Sequence, residues 1–405
     1  MRRRSASIGI VAGAFVVSAV IATAIAATDG SSKKASADSS GDAPVTILWI
    51  GDTTGPLKAY GNVQLAGVRG AVDYFNSRGG IDGHPVTVNA VSDNGDPAVA
   101  ASVLTQRLTA STPTMVWAGS VSADASAMIP ILARNDVFSI ALTDGQDQCR
   151  LNASVLCPHE WILSDSSSVA PQSAVNWIKE RHLTKVGLLE ETTNYSAAET
   201  AQFLRAATAN GISVKTASFP ATVVDLTPEM QSLKEAGAQV VYAEGIGTAQ
   251  YGFAARANLQ WDVPLIFDPP ASSLDLTKLT SAANIANAYQ VSVFQQDATI
   301  TLPGLSSMLQ YAGKYANITA LPLNVTATGW DAIVDLNDAV LQARGSLRVN
   351  DLDRAMLALP PTDPLRTLTH KLGFTKDNHE NAVGSPDDYV VIPVGPLING
   401  RVHSP

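Results

Sequence analysis

From Val45 onward, short β-rich apolar runs alternate with stretches whose apolar residues recur three or four positions apart, and this alternation limits the possible folds. Val45 to Ile50 is the first run, ended by Gly51-Asp52 and followed by a helical pattern over Val63 to Asn76. Val86 to Val91, Thr114 to Trp117 and Val137 to Leu142 repeat it, with helical patterns up to Leu108 and over Ala123 to Arg134 between them. Strands of four to six residues joined by helices of about ten to fifteen belong to a parallel sheet covered on both faces.

The rhythm restarts. Helical patterns over Val169 to Arg181, Ala197 to Asn210, Leu226 to Glu235 and Ala249 to Ala257 alternate with strands at Lys185 to Leu189, Val214 to Ala217, Val240 to Ala243 and Pro264 to Phe267. The interval from Cys149 to Ser168 lacks periodicity and reads as a crossing between two lobes; a strand at Ala288 to Val293 reads as a second. Two long helices, Thr301 to Tyr315 and Ala327 to Ala343, return the chain to the first lobe. A hairpin-like pair containing Tyr389 to Val394 closes the tail. The expected fold is therefore α/β: two Rossmann-like lobes with parallel central sheets and a multi-crossing hinge. Lobe 1 takes residues 44–164 and 291–367, and lobe 2 takes 165–290 and 368–400.

Ahead of this body, Met1-Arg2-Arg3-Arg4 precedes a small, apolar run from Ile8 to Ala27 that ends in Ala24-Ile25-Ala26-Ala27. Charge, apolar run and small-x-small residues in that order read as a secretory signal over 1–27, cleaved near Ala26. The alternative is an uncleaved anchor, since the run approaches bilayer-spanning length. Residues 28–43, rich in Ser, Ala and Lys, read as a flexible tether. Outside the cytosol, Cys149 and Cys157 are either a short-loop disulfide, stabilising by roughly 2–3 kcal/mol, or two free thiols.

Composition removes other classes. With 27 Lys plus Arg against 36 Asp plus Glu, a net charge of −9, the chain has no general attraction for nucleic acid. Two cysteines are too few for an iron–sulfur centre or a four-cysteine zinc site. No nucleophile elbow, zincin motif or phosphate loop occurs, and His84, His159, His182, His370, His379 and His403 have no metal-ligand spacing. No cofactor and no enzymatic activity are expected.

One set of residues points further. Gly51-Asp52-Thr53-Thr54-Gly55-Pro56, Tyr60-Gly61, Asn76-Ser77-Arg78-Gly79-Gly80-Ile81-Asp82-Gly83, Asp93-Asn94-Gly95-Asp96-Pro97, Gly119-Ser120-Val121-Ser122 and Gly329-Trp330-Asp331-Ala332 occur in this order. Together they resemble the periplasmic solute-binding proteins of the branched-chain amino acid type, over essentially all of residues 44 to 400. The resemblance implies an extracytoplasmic protein that captures a small polar organic ligand, an amino acid by default, by hinge closure. It further implies an ABC permease as membrane partner, a monomer, and a serine loop that, with the loop after the next strand, holds the ligand's carboxylate, here Ser120, Ser122, Ala141 and Thr143. Thr54 stands in the loop after the first strand. Ser122 can equally be an N-cap, and Asp144 is an acid where a carboxylate site would not favour one. Tyr195 resembles a cleft tyrosine, with surface packing or capping as the other reading. Glu244 or Asp268 would receive an ammonium. A sensory module of the same fold is the second functional reading, and an exported hydrolase, which would need a histidine near Ser120 or Ser122, a remote third.

Overall fold

The computed structural model describes residues 43–141, 158–165, 169–220, 222–245, 248–293, 297–367, 371–381 and 388–403. These belong to one unit spanning Ser40–Pro405. The apolar run from Ile8 to Ala27, the tether, Thr143, and both Cys149 and Cys157 lie outside the described residues.

Five strands and three described helices begin the first sheet: β1 (Val45–Gly51), α1 (Lys58–Asn76), β2 (Val86–Ser92), α2 (Pro97–Ala110), β3 (Met115–Ala118), α3 (Ser122–Arg134), β4 (Ser139–Ala141) and β5 (Glu160–Asp165). The second begins with α4 (Val169–Glu180) and β6 (Lys185–Glu191), then α5 (Asn194–Ala209), β7 (Ser213–Phe219), α6 (Thr227–Glu235), β8 (Val240–Glu244), α7 (Thr248–Asn258), β9 (Leu265–Phe267), α8 (Pro269–Ser272), α9 (Ala282–Ile285) and β10 (Ala288–Val293). The chain returns through α10 (Leu305–Ala312), α11 (Leu323–Gln342) and α12 (Val349–Met356). The tail carries β11 (Glu380–Asn381), β12 (Tyr389–Pro393), β13 (Leu397–Ile398) and β14 (Arg401–Val402). Among the described residues no helix is long and apolar enough to cross a membrane.

Strand order is β11-β5-β4-β3-β1-β2 in one sheet and β12-β10-β9-β8-β6-β7 in the other. Within these two sheets all pairs are parallel except β10 with β12, and β13 pairs antiparallel with β14 in a separate two-stranded sheet. Both lobes of the expected two-lobed α/β fold are thus present, with the same doubly wound order.

Details depart from the sequence reading where hydropathy is a poor guide. The interval expected to be only a crossing holds β5, whose first residue, Glu160, is polar yet buried, so no apolar alternation marks the strand. Tyr389–Pro393 has no hairpin partner in the tail. It pairs antiparallel with β10, while Glu380–Asn381 joins β5 in the first sheet, so the tail serves both sheets. Pro303-Gly304 delays α10 until Leu305, and α11 starts four residues earlier than its apolar period suggests.

The core of the first lobe is α11 laid against α1. Residues Val325–Leu336 of α11 are buried, including Thr326, Thr328, Asp331 and Asp335. A Cβ on Gly67 would stand 2.1 Å from the Thr326 carbonyl oxygen, and one on Gly329 would stand 2.1 Å from the Gln64 carbonyl oxygen. The two helices therefore touch backbone to backbone, which explains the late Gly-Trp-Asp motif. Asp331 accepts the Thr367 N–H at 2.8 and 2.9 Å. Arg366 forks between Asp335 at 2.6 Å and Asp338 at 2.9 Å. These bonds fasten the stretch before the tail to α11.

Candidate functional site

Ligands of open parallel sheets bind beyond the carboxyl ends of the strands, where strand order reverses. Here the reversals fall between β1 and β3 and between β6 and β8. Helix α4 runs back from the carboxyl edge of its sheet, because β6 begins five residues after α4 ends. Only residues 166–168 separate β5 from α4, so the chain between the two carboxyl edges can span at most about 14 Å. The segments after β10 and β11 also leave from carboxyl edges. A side-chain bond adds to this link: Asn324 at the start of α11 donates to the Ser273 hydroxyl beside α8, at 3.3 Å.

On the first edge, Asp52 ends the chain's run along β1 and is fully buried. Its carboxylate accepts the N–H groups of Thr54 at 3.0 Å, Gly55 at 2.6 Å and Leu57 at 2.7 Å. The loop is thus wound around a charge, as an acid followed by Thr-Thr-Gly-Pro allows. Thr54 is exposed, and its hydroxyl donates to Asn94 Oδ1 at 2.5 Å and meets Ser92 Oγ at 2.8 Å, tying this loop to the one after β2. Ser120 is 1 % exposed and its hydroxyl accepts the Asp52 N–H at 3.2 Å. Ser122 is the first residue of α3, half-buried; Val121 occupies the cap position and no side chain caps the helix, which removes the capping reading of Ser122. Ala141 is buried at the end of β4.

The sequence reading missed Asp124. It sits in the first turn of α3, fully buried, with no donor in full hydrogen-bond geometry on either carboxylate oxygen, although the Val121 and Ser120 N–H groups lie close enough to act on it. Burial, then the charges of Asp93 and Asp52, push it up to about 6, against the pull of the Val121 and Ser120 N–H groups. The positive end of α3, expected to favour a ligand's carboxylate, therefore already has an acid of the protein beside it. The signal was Ser-Ala-Asp after the serine loop.

On the second edge, β6 ends in Glu190-Glu191, and Glu190 accepts the Ser218 hydroxyl at 2.7 Å. Thr193 caps α5 through Ser196 N–H at 3.2 Å, and Tyr195 is the second residue of that helix. Glu244 ends β8 and is fully buried; its Oε2 accepts the Thr200 hydroxyl at 2.6 Å while Oε1 has no donor. Burial chiefly, with the Asp268 and Glu190 charges adding and Thr200 opposing, pushes it up to about 9. Asp268 is buried too, but both oxygens are occupied. Oδ1 caps α8 through Ala271 N–H at 3.0 Å, and Oδ2 accepts Gly245 N–H at 2.7 Å. Burial raises Asp268 to about 7. Gly245 holds φ at +108°, and a Cβ there would meet Glu191 Oε2 at 2.0 Å, so the turn after β8 needs glycine. Of the two acids expected at an ammonium, Asp268 braces two loops and Glu244 has an oxygen to spare. Between β8 and α5, the buried Tyr242 ring stacks on Phe203 and its hydroxyl has no partner.

A sequence model of the periplasmic binding protein family matches residues 44–385. No curated protein matches. Solved structures do share the fold. An extracellular ligand-binding receptor from Rhodopseudomonas palustris superposes with a TM-score of 0.72 at 16% identity, covering 90% of this chain and 99% of its own. A branched-chain amino acid transporter substrate binding protein from Streptococcus pneumoniae, solved with isoleucine, gives 0.71 at 18% identity, covering 89% and 98%. A fatty acid ABC transporter substrate-binding protein from Thermomonospora curvata gives 0.66 at 16%, covering 87% and 92%. Matched over most of its length by the family's own model, the chain belongs to the periplasmic binding protein family.

Proposed function

We propose that this binding protein captures a small polar organic solute outside the cytoplasmic membrane, by closing its two lobes, and presents it to an ABC permease. One observation supports the reading: the connections between two doubly wound sheets leave from their carboxyl edges, the edges that carry the loops of both reversal points and on which a shared cleft is proposed. Closure gains from contacts made by the second lobe only in the closed state. Thr54, Ser120, Ser122, Ala141, Thr143 and Tyr195 are the proposed lining, and Glu244 is the proposed partner of a ligand ammonium. An amino acid is the first class to test, and the protein is taken to act as a monomer after loss of the segment 1–27.

The test is thermal unfolding of the purified protein, stripped of co-purified solute, against amino acids, short carboxylates, amides, aromatic acids and sugars. A captured solute raises the melting temperature by mass action, by an amount set by its concentration over Kd. The same solute should shrink the radius of gyration in solution scattering. A panel that moves neither quantity would refute solute capture.

A further inference from the structure

We infer that the captured solute is a cationic amine without a carboxylate, held between the Asp124 side of the first sheet and the Glu244 side of the second. This rests on the capture reading above and narrows it. The loops at the two reversal points and their flanking turns carry Asp52, Asp93, Asp124, Glu190, Glu191, Glu244 and Asp268. Residues 52–57, 93–96, 119–121, 192–193, 220–226, 245–247 and 268 contain no lysine or arginine. Lys58, the first residue of α1, is exposed. Arg401 at the hinge is bound to the carbonyl oxygens of Asp297 and Ile300. Arg150 lies outside the described residues.

Acidity alone would be a solvated rim, but Asp52, Asp93, Asp124, Glu244 and Asp268 are buried. Oδ2 of Asp93 and Oε1 of Glu244 are buried without a donor, and the Asp124 oxygens, equally buried, have only the Val121 and Ser120 N–H groups near them, neither in full hydrogen-bond geometry. Buried polar atoms in folded proteins are ordinarily hydrogen-bonded, so these acceptors point to a donor that is brought from outside. An ammonium supplies three donors and a positive charge and asks for no donor in return. A ligand carboxylate would instead meet Asp124 at the N-terminus of α3. Asp52, Asp268 and Glu190 are already bonded within the protein. Glu191 is engaged as well, which leaves Asp93 and Asp124 on one side of the cleft and Glu244 on the other, an arrangement that suits an amine at either end of a short chain.

The experiment is calorimetric titration of the stripped full chain with 1,5-diaminopentane, pentanedioate and leucine, with solution scattering on the same samples. The expected result is diaminopentane binding at least tenfold more tightly than leucine, contraction on binding, and no binding of pentanedioate. Asp124→Asn and Glu244→Gln should each weaken diaminopentane at least tenfold while melting no lower than the parent, which separates loss of binding from loss of fold. Pentanedioate or leucine binding as tightly as diaminopentane overturns the charge preference and leaves solute capture standing, as does diaminopentane binding unaffected by both variants. If neither diaminopentane nor any solute of the wider panel binds or contracts the protein, capture and charge preference fall together.

Discussion

Glu244→Gln should make the folded protein less sensitive to pH, and the size of the effect follows from one buried carboxyl. Glu244 is held at about 9 in the native state against an ordinary 4.5. Between those values the native state keeps a proton that the unfolded chain has released. Stability therefore falls as pH rises, by about 1.4 kcal/mol per unit for one such group. The contribution is complete below about pH 4.5 and gone above about 9. Glutamine resembles the protonated acid in size and can still accept from Thr200, so the variant loses this slope and little else. Urea unfolding of parent and variant at pH 5, 6, 7 and 8 gives a difference in which every other titrating group cancels. The two should be within about 1 kcal/mol at pH 5, and the variant should gain on the parent by about 4 kcal/mol between pH 5 and 8. Crowding by Asp268 and Glu190 belongs to this effect, because both act on the same carboxyl. A stability difference that does not change with pH would refute the reasoning, showing that the Glu244 carboxyl reaches water in the native state.

Arg366→Ala should lower stability by about 3–5 kcal/mol in the same assay, because it strands Asp335 and Asp338 in the core without their counter-charge. Gly329→Ala should cost at least about 1–3 kcal/mol, since its Cβ would force α11 off α1, whereas Ala332→Gly on the same helix should cost only about 1 kcal/mol of helix propensity. Asn324→Ala removes a bond between the lobes; solution scattering should show a larger radius of gyration without ligand, and a mean dimension equal to the parent's would count against that bond's role.

Much of the fold is legible along the chain because parallel strands buried on both faces write continuous apolar runs, as in Val45 to Ile50 and Val240 to Ala243, and because helices between them keep their period. The reversal points were legible for the same reason: Thr54, Ser120 and Glu244 each stand just past a strand that could be read. What failed to register was polar and buried. Glu160 hid β5, and nothing in the apolar pattern singled out Asp124. The partner of a short strand such as Tyr389–Pro393 depends on where the chain returns, which no local pattern encodes.

The sequence by itself therefore determined the alternating elements, their two-lobed grouping and the glycines that let α1 and α11 meet. Only the tertiary structure decided which acids are engaged. Asp52 and Asp268 look no different from Asp124 and Glu244 in one dimension, yet the first two hold backbone N–H groups on both oxygens and the others keep oxygens with no donor in full hydrogen-bond geometry. The physical reason is that a carboxylate's state depends on the donors and charges within a few ångströms of it, and those neighbours come from segments tens of residues apart.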